Sequence, residues 1–351
     1  MALRPAAEPL SPSRFLVQGL DPTGRTRPGA FAGLLLGVGA LAALRHWGPD
    51  LLPSWSRWRE ALVTIPLALL LVPAVGHALR RLNDMGWSGW WAWALALPWA
   101  RWGLLALLVA VPSSQRRRRA EASWRLLGLG AAAVAALLLL GSLAWTAAGV
   151  AAQGMRPALW PGDLVLVRRG GAALPGAVVA FRRPGEEAPR FGRVIATAGQ
   201  AVAVEGGVPV IDGVAALRRD DGALAEPFAR QGPLGVMPVC GNGTVGLGAE
   251  CRTRRFREML PGGADYAVLD AGLRPLDRAG EVAVPEGFVY ILGDDRDAAR
   301  DSRLAPAAGG TGLVEVDRVI GRVDMVAASS GARHPWDLRG WRWGRMGRIV
   351  R

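Results

Sequence analysis

Gln153-Gly154-Met155-Arg156-Pro157-Ala158-Leu159-Trp160-Pro161-Gly162-Asp163-Leu164-Val165-Leu166-Val167 follows the last long apolar run of the chain, and its reading decides the fold. Pro157, Pro161 and Gly162 rule out a continuing helix, because proline lacks the amide donor and clashes with the preceding turn. The apolar residues 164–167, bounded by turn residues, then read as a strand. Apolar runs are long before this stretch; after it they are short and cut by Gly and Pro. The expected fold class is an N-terminal α-helical transmembrane module plus a C-terminal mostly-β domain over residues 151–351.

Working outward toward the N-terminus, composition supports the membrane half. Of 351 residues 51% are hydrophobic and mean hydropathy is +0.21, too apolar for an ordinary soluble chain. Apolar runs at 31–44, 61–79, 89–111 and 126–150 approach the roughly 20 residues that span hydrocarbon. The first is short, and the third carries Pro98 and Arg101, which predicts a kinked, tilted or re-entrant segment. The expected order is a polar segment 1–28, a multi-span module 29–112, a basic linker 113–125 and a transmembrane helix 126–150. The polar start, with Arg4, Arg14, Arg25 and Arg27, lacks the apolar core of a cleavable signal peptide.

The formal charge is +13, yet the arginines sit between apolar runs, in loops and in the tail. That distribution argues for membrane lipid as a partner and against nucleic acid. Arginines 116–119 favour the cytoplasm by the positive-inside tendency and send the β domain outside, whereas Arg80-Arg81 and the N-terminal arginines pull the parity of the spans the other way. All 42 basic residues are Arg, which removes every mechanism that needs a lysine. Gly24-Arg25-Thr26-Arg27 and Arg80-Arg81-Leu82-Asn83-Asp84-Met85-Gly86-Trp87-Ser88-Gly89-Trp90-Trp91 resemble a family of small bacterial inner-membrane proteins of unknown function over about residues 20–112. Physically the second motif reads as an interfacial turn, with Arg for phosphates and paired Trp for the headgroup belt.

Toward the C-terminus, strands are expected at 164–167, 177–181, 201–204, 208–211, 266–269, 288–292 and 319–326. Residues 222–263, rich in Gly and polar side chains, read as a small insertion holding Cys240 and Cys251. Those cysteines either pair, as an exterior compartment permits, or remain free thiols. The tail 334–351 combines Trp336, Trp341 and Trp343 with arginines, suited to an anionic membrane surface or to a loose basic end.

Four blocks occur in a set order: the opening stretch, Pro175-Gly176-Ala177-Val178-Val179-Ala180-Phe181, Phe191-Gly192-Arg193-Val194-Ile195-Ala196-Thr197-Ala198-Gly199-Gln200, and Gly293-Asp294-Asp295-Arg296-Asp297-Ala298-Ala299-Arg300-Asp301-Ser302-Arg303. In order and spacing they resemble the bacterial signal peptidase I family over about residues 145–351. That resemblance implies an inner-membrane protein with its β domain on the periplasmic side and preproteins bearing signal peptides as substrates. It also implies a serine nucleophile activated by a buried, neutral lysine.

Every working position is altered. The resemblance puts the nucleophile at Gly154, the base at Gly192, the oxyanion hydroxyl at Ala152 and the base-orienting hydroxyl at Ala299. The expectation is a catalytically inactive homologue that binds signal-peptide-like segments or membrane partners, with Met155 and Pro157 shaping the cleft. Gly293, Asp294, Arg296, Asp297, Asp301, Ser302 and Arg303 would form its structural loop. The alternatives are an active peptidase with a displaced Ser302–His334 pair, since His46 and His77 lie in the membrane half, and a structural scaffold. The four aspartates of the last block suit a hard cation, but interleaved arginines favour ion pairs; no metal and no cofactor are expected.

Overall fold

The computed structural model describes residues 12–20, 26–51, 57–96, 100–112, 122–171, 173–334 and 337–350. The arginines 116–119, most of the linker 113–125, Arg4, Arg25, Pro98 and Trp336 lie outside them. The chain forms two compact units, Met1–Ala144 and Trp145–Arg351.

The first unit is helical: α1 (Pro12–Gln18), α2 (Pro28–Leu51), α3 (Arg57–Asp84), a 3-10 turn (Gly89–Ala96), α4 (Ala100–Ala110) and α5 (Ala122–Ala144). Among the described residues two helices are long and apolar enough to cross a membrane, Pro28–Gly48 and Glu60–Asp84. The third apolar run is broken into the 3-10 turn and α4. The helix expected over 126–150 ends at Ala144, and Trp145–Gly149 is a strand. Pairing of Trp145–Gly149 with Leu164–Arg168 outweighs their apolar continuity with the helix.

The two arginines expected at phosphates are buried instead. Arg81 donates from Nε to Leu108 O (2.8 Å) and from Nη2 to Val111 O (2.5 Å), satisfying carbonyls at the end of α4. Arg80 donates to Gln18 O at 2.8 Å, closing α1 in the same way. Thr26 and Asp84, from the two motifs of this half, also meet: Thr26 N donates to Asp84 Oδ2 at 3.1 Å. An unpaired carbonyl in an apolar setting costs several kcal/mol, so these arginines serve the helix ends.

The second unit holds β1 (Trp145–Gly149), β2 (Asp163–Arg169), β3 (Val178–Phe181), β4 (Arg190–Thr197), β5 (Ala201–Glu205), β6 (Val208–Ile211) and β7 (Val214–Ala215). It continues with β8 (Leu217–Pro227), β9 (Glu250–Met259), β10 (Asp265–Asp270), β11 (Ala279–Ala283), β12 (Phe288–Leu292), β13 (Val314–Glu315) and β14 (Val319–Ser329). The largest sheet runs β1-β2-β14-β3-β4-β12-β13; smaller sheets run β11-β5-β6-β7 and β10-β9-β8. All seven strands expected from the sequence are present.

The insertion is smaller than expected, because β8 and β9 take both ends of the 222–263 segment, 222–227 and 250–259, into a sheet. Their alternation was hidden by charge: Arg254–Asp220 and Arg255–Asp221, both at 2.8 Å, line exposed strand faces. A disulfide joins Cys240 to Cys251 beside this sheet.

The tail is not loose. Arg345 bonds Asp163 at 2.6 Å and Ala158 O at 3.0 Å, and Arg342 donates to Pro161 O at 3.0 Å. Both guanidinium groups lie over the Trp160 ring, Arg342 at 5.0 Å and Arg345 at 5.3 Å from its centroid. Charge and ring stacking thus hold the tail to the turn that follows Gly154.

Candidate functional site

The site is a turn pinned to a loop of ion pairs. Gly154 O accepts from Asp295 N at 3.0 Å, which ties the residues before Met155 to the 293–303 block. Gly293 is required there: a Cβ on it would fall 2.2 Å from Ala299 Cβ and 2.5 Å from Gly154 O. A Cβ on Gly154 would meet Ala299 Cα at 3.1 Å. The structure therefore brings the expected nucleophile and orienting positions together, both without functional groups. Ala152 is exposed nearby in sequence.

Gly192 lies in β4 opposite Val179 of β3, and a Cβ on it would meet Ile291 Cδ1 at 2.6 Å. The space that a base at this position would need is filled by Ile291. Met155 is 3% exposed and packs with Leu159, Val165 and Val326, so it belongs to the core and does not line an open cleft. Its apolar side chain faces inward where the turn closes over the sheet. Pro157 lines, with Ala158, a cleft formed by β10 and the tail.

The carboxylates of the 293–303 block all have partners. Asp294 holds Arg193 through two bonds of 2.6 Å, and Asp295 holds Arg156 at 2.7 Å. Asp301 accepts from Gly293 N and from Arg303, both at 2.9 Å. Asp297 accepts from Ala271 N at 2.5 Å and faces Arg274 at 3.2 Å. Arg296 grips Glu258 with both terminal nitrogens. Such bidentate pairs fix a loop's shape. Among the described residues no group of three ligands suited to a metal forms.

Ser302 donates its hydroxyl proton to Gly312 O at 2.6 Å and accepts from Ile291 N at 3.0 Å. Both roles are structural, so the alternative of a Ser302–His334 pair finds the hydroxyl already engaged. Sequence reasoning missed Arg156, which is 1% exposed and joins Asp295 to Glu226 of β8. Its place next to the cleft motif was the only signal available.

Burial pushes the Asp295 carboxyl up to about 6, against the pull of Arg156. The folded state thus binds this proton more tightly than the unfolded chain. Its stabilising contribution is full below the ordinary carboxylate value, falls as pH rises, and is lost above about pH 6. Burial moves Asp294 and Asp297 in the same direction. Denaturant midpoints of the full chain in detergent should therefore decline between about pH 4 and 6, and less so in Asp295→Asn. Identical pH profiles for the two proteins would remove Asp295 from this role.

A family model described as signal peptidase, peptidase S26, matches residues 123–328. The chain belongs to the signal peptidase family. The match ends before the tail, and residues 29–122 match a second model, described as a protein of unknown function (DUF805). No curated protein matches the chain. Among solved structures, a signal peptidase I from Enterococcus faecalis V583 is similar at 18% identity. The match covers 42% of this chain and 94% of that one, with a TM-score of 0.22. Both resemblances read from the sequence are thus recovered, and this signal peptidase homologue carries two glycines where the family motifs were expected to supply nucleophile and base.

Proposed function

We propose that this member of the signal peptidase family holds extended, signal-peptide-like segments at the membrane without cleaving them. The observation that carries the reading is the β1 edge leading to Gly154. Val150 N donates to Asp163 O (2.8 Å) and Gly162 N donates to Val150 O (2.7 Å), so Val150 turns inward. Backbone groups alternate along a strand, which leaves those of Ala147 and Gly149 on the outer edge of the sheet. An extended peptide can add there through the main chain, a mode that needs no catalytic side chain. Hydrolysis needs a nucleophile and a base, and Gly154, Gly192 and a lysine-free sequence supply neither.

The two membrane-length helices support anchoring in the inner membrane, and the disulfide supports an exterior, oxidising side for the β domain. A labelled preprotein offered to the purified full chain in liposomes should bind and stay intact. Ala147→Pro, which removes an outward donor and no sheet bond, should abolish that binding. Cleavage by the natural sequence would overturn the proposal, as would binding unaffected by Ala147→Pro.

A further inference from the structure

Besides the β1 edge, a pair of open strand edges lies in the β domain, on β10 and on the tail. In β10, Leu269 N donates to Asp294 O (2.8 Å) and Leu269 O accepts from Arg296 N (2.9 Å), on the edge turned away from β9. By alternation the N–H and C=O of Asp265 and Ala267 share that outer edge, where no strand pairs with them among the described residues. The tail makes a matching edge. Val350 N donates to Asp324 O and Val326 N to Arg348 O, both at 2.9 Å, so Ile349 between them turns its backbone groups away from β14.

Asp265, Ala267, Ile349 and Val350 line one cleft of about 200 Å³, with Pro157 and Ala158. Within it, buried Arg193 is neutralised by Asp294, and Arg257 by Asp265 at 2.6 Å. Arg348 is exposed on the lining, and among the described residues no carboxylate pairs with it. The lining thus carries one uncompensated positive charge beside backbone donors and acceptors.

We propose that this cleft is a separate peptide-binding site, which takes an extended acidic polypeptide segment by strand addition. Main-chain bonds to Asp265, Ala267 and Ile349 would hold the segment, and Arg348 would select a carboxylate side chain. The occupant is acidic because the free charge on the lining is a guanidinium, and extended because both open walls are strand edges.

The test uses the full chain in detergent and a short blocked peptide alternating Val and Glu, followed by fluorescence anisotropy. Saturable binding that weakens with salt is expected, and at least about tenfold weaker binding when Glu is replaced by Gln. Ala267→Pro and Ile349→Pro each delete an outward donor while sparing the sheet, and should abolish binding with the thermal midpoint unchanged. Arg348→Glu, an exposed change, should transfer preference to a peptide alternating Val and Lys even if a proline variant fails to fold. Ala147→Pro should leave this binding intact, which separates the cleft from the β1 edge. No saturable binding to the natural chain, binding unchanged in a folded proline variant, or an Arg348→Glu protein that keeps its preference for Glu would each overturn the proposal.

Discussion

Arg156→Ala lowers the stability of the β domain by about 3–5 kcal/mol, the range for breaking a buried ion pair from one side. The guanidinium is 1% exposed and bonds Asp295 at 2.7 Å and also Glu226, whose side chain is 5% exposed. Removing it leaves two carboxylates out of water without a cation, and it unlinks the turn after Gly154 from β8 while the backbone bond from Asp295 N to Gly154 O remains. The loss should be smaller at about pH 5 than at about pH 8, because Asp295, already raised to about 6, can then take up a proton. Urea unfolding of the full chain in detergent, read by tryptophan fluorescence at both pH values, measures this. A loss below about 1 kcal/mol at the higher pH would mean that water or other groups already compensate these charges.

Placing serine at 154 and lysine at 192 is expected to produce the largest functional change, and it requires a third substitution. Gly154→Ser needs a shift of only a few tenths of an ångström, since its Cβ would meet Ala299 Cα at 3.1 Å. Gly192→Lys brings Cβ to 2.6 Å from Ile291 Cδ1, an overlap that destabilises by about 1–3 kcal/mol in a packed core. Gly154→Ser with Gly192→Lys should therefore cleave a labelled preprotein poorly. Adding Ile291→Ala opens room for the lysine stem while keeping the apolar surroundings that hold its amine neutral, and should raise cleavage by at least about 10²-fold, the scale of positioned general-base catalysis. Both variants should bind preprotein as the natural chain does. A double variant as fast as the triple would show that Ile291 yields freely, and a triple variant that binds without cleaving would mean that Ala152 and Ala299 matter as much as the dyad.

Most of the candidate site was legible because its blocks are local. The turn prolines, the strand after Asp163 and the Arg/Asp alternation of 293–303 each declare themselves within a dozen residues. What stayed hidden depended on distant partners. The strands β8 and β9 carry charged side chains on exposed faces, so no apolar period marks them. Met155 looked like a cleft residue because a motif names positions without showing which way a side chain turns. Arg80 and Arg81 looked interfacial for the same reason, and they meet helix-end carbonyls instead.

The sequence by itself determined that this chain joins a membrane module to a peptidase-type β domain, that glycine stands at 154 and 192 and that the chain holds no lysine, because periodicity and composition are local properties. Only the tertiary structure decided which buried charges pair, that Ala299 and Ile291 stand where side chains on Gly154 and Gly192 would go, and that the tail becomes a wall of a cleft. Those outcomes depend on contacts between residues far apart in the chain, where burial sets the cost of an unpaired charge and backbone alternation sets which edge stays open.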